Sequence, residues 1–260
     1  MDDLEIIDWE ETAARRLLSA DSYEERCRIY SEIYDEDNAF WLARHGREGI
    51  SGTCARNRAL LQYACAGEGP VLDVGGGTGI AGDALSPERL YVTCDASRVV
   101  QSEHSRGDRR AGVLGCATDL PFDRGSFETV LALDVLEHLH RDDIHRCLAE
   151  CRRILCPGGK LLIATPHRLS GPWDARGSHP DQHHRAGLHL NELTVSTMLR
   201  DLRHHGFRSR GFVVQEYRRT MWQLAPLALW AGLLEAAAGF TPRRFRARLC
   251  RLAVVLAVAR

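Results

Sequence analysis

The stretch Val71-Leu72-Asp73-Val74-Gly75-Gly76-Gly77-Thr78-Gly79 decides the fold. A short apolar run holding one acid reads as a buried strand. The glycines after it read as a turn whose backbone can approach a ligand closely and offer it bare N–H groups. The offset spacing Gly77-x-Gly79-x-x-Gly82 also fits a dinucleotide fingerprint. That reading is poorly placed, because its first glycine belongs at the strand end, where Gly75 already sits. Taken alone, the segment also fits a tight strand-to-helix turn with no ligand.

Outward from this turn, strand-like and helix-like segments alternate. Pro70–Val74, Leu90–Cys94, Ala111–Gly115, Thr129–Leu133 and Lys160–Ala164 read as five strands. Asp142–Ile154 reads as a helix stopped by Cys156-Pro157-Gly158-Gly159. Asn191–His205 is an amphipathic helix ended by Gly206, and Phe212–Tyr217 reads as a sixth strand. Leu252–Val258 is rich in valine and reads as a last strand, inserted antiparallel. The alternative makes 242–259 one basic amphipathic helix with Arg244, Arg248 and Arg251 on one face, suited to a membrane surface. The fold expected is a doubly wound, mostly parallel seven-stranded sheet with an antiparallel last strand and helices on both faces. It divides into an N-terminal helical cap (1–66), a core (67–220) with a long polar loop (166–190), and an apolar insert with the final strand (221–260). The N-terminal helices either cover the ligand site or pack, solvated, on the core.

A 260-residue chain with 44% hydrophobic residues can bury a sizeable core. Its net charge of −1 gives no general attraction to nucleic acid or anionic membrane. Nine cysteines without a CxxC pair read as reduced thiols, not a disulfide framework or a zinc site. The acidic start Met1-Asp2-Asp3-Leu4-Glu5 lacks the pattern of a secretory signal, so a cytoplasmic protein is expected. Pro226 and Glu235 interrupt the only 20-residue apolar candidate for a membrane span.

Four further segments extend the pattern. Asp95 ends the second strand, where an acid can accept both hydroxyls of a ribose. Thr118-Asp119-Leu120-Pro121-Phe122 follows the third strand. Phe127 to Leu139 spans the fourth strand and its exit, Leu133-Asp134-Val135-Leu136-Glu137-His138. Arg153 to Ile163 spans a helix stop and the fifth strand. In this order and spacing, together with the Gly75-x-Gly77-x-Gly79 turn, they resemble the class I S-adenosylmethionine (SAM) dependent methyltransferases. The resemblance covers about residues 50–165 and extends loosely to Phe207. It implies SAM as cofactor and S-adenosylhomocysteine as product. By it, Gly75, Gly77 and Gly79 line the methionine half and Asp73 orients its amino group. Asp95 and Ala96 hold the ribose, Asp119 and Leu120 read the adenine, and Leu133 and Asp134 floor the site. Arg56 either pairs the SAM carboxylate or is a solvated helical arginine.

Methyl transfer to an amine or hydroxyl releases a proton, so a base near neutral pKa is useful and histidine fits. His189 leads because a histidine often occupies that position in the family, and His138 follows. His167, His179, His183 and His184 are further candidates. The spacing His179-x-Asp181-x-His183-His184 could bind a metal, or the loop could be merely polar; no metal site is expected. The exit Leu133-Asp134-Val135-Leu136 lacks the Asn/Asp-Pro-Pro-aromatic motif of base methyltransferases. A small-molecule acceptor, methylated at a hydroxyl oxygen, is therefore expected, with natural-product, quinone-like and glycan- or lipid-linked substrates open. A protein or RNA methyltransferase would show an arginine patch around Arg203–Arg219 facing the cleft. A non-catalytic partner subunit is the third reading. The segment Met221–Phe240, with Trp222 and Trp230, could be a greasy lid, a peripheral membrane contact or a dimer helix.

Overall fold

The computed structural model describes residues 3–46, 58–102, 108–169, 171, 188–214, 216–217, 220–221, 235–237, 240 and 252–260. Arg56, the 172–187 stretch with His179, Asp181, His183 and His184, and Trp222 and Trp230 lie outside these residues.

A single seven-stranded sheet carries the fold. Its strands are β1 (Val71–Val74), β2 (Tyr91–Asp95), β3 (Arg110–Leu114), β4 (Phe127–Leu133), β5 (Leu155–Pro166), β6 (Phe207–Val214) and β9 (Leu252–Ala259). Their order is β3-β2-β1-β4-β5-β9-β6. The first five run parallel, and β9 is antiparallel to both β5 and β6. The fold expected from the sequence is thus the fold observed. A separate ladder pairs β7 (Glu216–Tyr217) with β8 (Thr220–Met221).

All four residues of β1 are buried. Leu72 and Val74 enter one hydrophobic layer and Val71 the other. A central parallel strand is covered on both faces, which is why it reads as a continuous apolar run. The same holds in β9, where Ala253 and Val255 face one layer and Leu252 and Val254 the other. Residues 252–259 are therefore strand, and the helix alternative does not hold for them.

The helices are α1 (Asp3–Ser19), α2 (Tyr23–His45), α3 (Arg58–Ala64), α4 (Arg98–Ser102), α5 (Arg141–Ile154) and α6 (Val195–His204). Ser22 caps α2 by accepting from the Glu25 N–H at 3.1 Å. Ala13, Leu17, Ile29, Tyr30 and Ile33 bury against the same core layer as the strands. Among the described residues no helix is long and apolar enough to cross a membrane.

Three starting boundaries differ most from the sequence reading. The chain enters β5 directly from α5, because Leu155 pairs with Phe127 before Cys156–Gly159 bulge out and Lys160 pairs with Thr129. Strand β6 begins at Phe207, not Phe212, because Phe207 is itself a buried anchor immediately after Gly206. Helix α6 begins at Val195, because Asn191 is spent elsewhere and Thr194 supplies the cap.

Candidate functional site

At the carboxyl ends of β1, β2 and β4 lies a cavity of about 170 Å³. Gly75, Gly77, Asp95, Ala96, Asp134, Val135, His138 and Leu139 line it from the sheet side, and Cys116 and Ala117 from the turn after β3. Tyr30, Tyr34, Asp37 and Asn38 close it from α2. This is the crevice where open α/β sheets hold ligands, at the reversal of strand order.

The glycine turn makes the cavity. Gly75 sits at φ +63°, and a Cβ there would lie 2.7 Å from Val135 Cγ2. Gly77 sits at φ +54° and donates its N–H to Asp95 Oδ2 at 2.9 Å. Asp95 also accepts from the Ser97 N–H at 2.9 Å. Burial raises its pKa against these hydrogen bonds. Opposite, Asp134 adopts a left-handed φ of +56°, the only described non-glycine residue to do so. Strain of this kind gathers at ligand sites.

Of the cofactor residues read from the sequence, Gly75, Gly77, Asp95, Ala96 and Asp134 line the cavity. Asp73, Gly79, Asp119, Leu120 and Leu133 do not. Asp73 is buried beneath the turn and accepts the Tyr91 hydroxyl at 2.5 Å; burial pushes it up to about 7. Gly79 opens the short 3-10 turn Ile80–Ala84. Asp119 is exposed, and the Leu120 N–H is given to Glu150 Oε2 at 2.9 Å.

His138 lines the cavity, and His189 packs edge-on against it, ring centroids 4.8 Å apart. They meet because Asn191 staples its segment to the exit of β4. Its N–H donates to the Glu137 carbonyl at 2.9 Å and its Nδ2 to the Leu139 carbonyl at 2.6 Å. Glu137 stands beside them with no exposed surface, and the Thr165 hydroxyl donates to its Oε2 at 2.9 Å. Burial, then the Asp134 charge, pushes Glu137 up to about 8. Burial, then His189, pushes His138 down to about 3. Burial would lower His189 too, but the Glu192 carboxylate, its Oε1 3.8 Å from Nδ1, and the charges of Glu137 and Asp134 outweigh it and raise its pKa.

His167 is fully buried away from the cavity. Its Nε2 meets Glu235 Oε1 at 3.0 Å, and Glu235 accepts from the Val195 N–H at 2.7 Å, anchoring the start of α6. That makes it structural. The sequence reading missed Glu137 and Tyr34. The Tyr34 hydroxyl is buried, has no hydrogen-bond partner among the described residues and belongs to a residue that lines the cavity. In sequence it looked like one more apolar residue of α2.

Residues 72–163 match a family model described as a methyltransferase domain. This stretch is a methyltransferase domain. A Mycolicibacterium smegmatis protein named for S-adenosylmethionine-dependent methyl transfer is 32% identical over 139 residues, 52% of this chain and 51% of its own length. The ubiquinone biosynthesis O-methyltransferase of Maricaulis maris is 28% identical over 173 residues, 61% of this chain and 66% of its own. The chain thus spans about half to two thirds of these curated relatives. An S-adenosylmethionine-dependent methyltransferase structure from Thermotoga maritima superposes with a TM-score of 0.58 at 15% identity, covering 89% of this chain and 100% of that one. At that identity the likeness speaks for the fold alone. The cavity suits the cofactor: glycine backbone at Gly75 and Gly77, the Asp95 carboxylate and the ring of Tyr34, whose hydroxyl has no partner among the described residues, line one space.

Proposed function

We propose that the chain transfers a methyl group from SAM to a hydroxyl oxygen of a small-molecule acceptor. The observation that carries the reading is one cavity bounded by the Gly75–Gly77 turn and Asp95 on one wall and by His138 on another. When bound, SAM supplies an electrophilic methyl carbon; the protein's part is alignment and exclusion of water. Asp95 holds the ribose hydroxyls, the turn at Gly75 and Gly77 faces the amino-acid end, and Asp119 receives the adenine amino group. The adenine contact assigned to the Leu120 N–H requires Glu150 to let it go. Asp134 and Val135 form the floor beneath the reacting centre. Helix α2 covers the site through Tyr34 and Asn38.

An acceptor lying against His138 meets the Glu137–His138–His189 centre, and there its hydroxyl loses its proton. The name of the Maricaulis maris relative favours oxygen as the acceptor atom, and quinone-like phenols are the first compounds to screen. A small acceptor suits the cavity better than a nucleic acid or protein. Arg203 and Arg208 are exposed on α6 and on the edge strand β6, and neither lines it.

Calorimetric titration with SAM, S-adenosylhomocysteine and NAD tests the reading. Micromolar binding of the first two and none of NAD is expected. Asp95→Ala should weaken SAM binding by roughly 1.5–3 kcal/mol, about 10- to 150-fold, with its circular dichroism unchanged. Binding of NAD in place of SAM would overturn the proposal.

A further inference from the structure

Glu137, His138 and His189 are arranged as a ligand set. One donor atom from each lies within 4.8 Å of the other two. Each side chain is also held from behind. Thr165 binds Glu137 Oε2, which leaves Oε1 buried and without a hydrogen-bond partner among the described residues. The Leu188 carbonyl lies 3.1 Å from His138 Nδ1, so that nitrogen donates and Nε2 keeps its lone pair. Glu192 Oε1 stands 3.8 Å from His189 Nδ1, which is buried and makes no hydrogen bond among the described residues. A buried carboxylate oxygen left unpaired, as Glu137 Oε1 is among the described residues, costs stability unless something binds it. Outer groups that orient imidazoles and carboxylates in this way are the usual support of metal ligands.

We propose that Glu137, His138 and His189 bind a divalent cation of the zinc class, with a coordination position open toward the cavity. Two imidazoles and one carboxylate are a donor set zinc accepts, and three protein ligands leave room for an exogenous oxygen. Donors around tetrahedral zinc stand roughly 3.4 Å apart for bonds of about 2.0–2.1 Å. The three side chains would therefore draw in by about an ångström. The sequence does not suggest the site, because His189 lies some fifty residues from the other two and only the Asn191 staple joins them.

The cation's catalytic part rests on the methyl-transfer reading; its binding does not. An acceptor hydroxyl on the open position would have its pKa lowered. Its O–H bond breaks with the proton passing to water, and the oxygen then takes the methyl carbon as S-adenosylhomocysteine leaves. No oxidant or reductant is needed.

The test is titration of metal-free full-length protein with cobalt(II), followed by its visible d–d bands, and with zinc by calorimetry. One equivalent should bind with the strong absorption of a low-coordinate site. Glu137→Gln and His189→Ala should each weaken binding at least tenfold, with circular dichroism retained. His205→Ala serves as control, because His145 and His205 form a separate exposed pair, Nδ1 to Nε2 at 3.1 Å. Binding lost with His205→Ala and kept in the other two variants overturns the proposal. So does the absence of stoichiometric binding in a protein that binds SAM, and that result leaves the methyltransferase reading standing. Cobalt binding by the three residues in a protein that ignores SAM upholds the cation site and removes the methyltransferase reading.

Discussion

Asp73 carries a carboxyl at the end of β1 with only 2% of its surface exposed. Burial is the main cause of its raised pKa, about 7; the Tyr91 hydrogen bond opposes it and the Asp95 charge adds to it. In an unfolded chain an aspartate titrates near 3.9. Between about pH 4 and 7 the unfolded chain releases this proton while the folded chain keeps it. The folded state therefore binds more protons there, and stability falls as pH rises through that window. Above pH 7 both states are ionised and the penalty is constant. Asp73→Asn keeps an acceptor for Tyr91 and does not titrate. Its stability relative to wild type should rise by up to about 4 kcal/mol between pH 4 and 8, three pKa units at about 1.4 kcal/mol each. Chemical denaturation at several pH values checks this. A stability difference that stays flat with pH would mean that the native carboxyl is already ionised.

Helix α2 forms one wall of the cavity and is fastened to the start of α5. Arg26 donates Nε to Asp143 Oδ2 and Nη2 to Oδ1, both at 2.7 Å. The Tyr30 hydroxyl donates to Asp143 Oδ2 at 3.0 Å and accepts the His140 N–H at 2.7 Å. Asp143 has no exposed surface, and Arg26 is buried beside it. Removing one partner of a buried pair strands the other charge, so Asp143→Ala should cost about 3–5 kcal/mol. Arg16 also forms an ion pair, 2.5 Å from Glu32, but both side chains are half exposed. Arg16→Ala should cost no more than about 1 kcal/mol. Equal losses of melting temperature in the two variants would show that the latch adds nothing special. None of this latch was legible in the sequence, since Arg26 and Asp143 look like ordinary charges on two helices. What was legible is what depends on short range. The glycine turn and the acids at strand ends declare themselves locally, and strands buried on both faces show as apolar runs. The starts of β5, β6 and α6 were misplaced because tertiary pairing overrode local signals at Leu155, Phe207 and Asn191. Glu137 was passed over because its partners, Thr165 and His189, come from other parts of the chain.

Across the whole molecule, β9 sits between β5 and β6, so the last described element completes the sheet. Leu252, Val254 and Val255 are buried by it. At about 1.5–3 kcal/mol for each large apolar side chain, they contribute an amount comparable to the whole stability of a domain. The two faces of this strand are not equivalent along its length. Val255 has no exposed surface and stands in the main core layer, in register with Ile163 and Gly211. Val258 is 38% exposed, in register with Lys160 on β5 and Arg208 on β6. An aspartate at 255 would place an unpaired charge in the core, whereas one at 258 would lie between two cations. Val255→Asp should lose more than about 4 kcal/mol and leave little folded protein. Val258→Asp should stay within about 0.5 kcal/mol of wild type, with SAM binding unchanged. Denaturant titration of the pair decides it. A helix in place of β9 would put both positions on other surfaces, and the two variants would then lose their contrast.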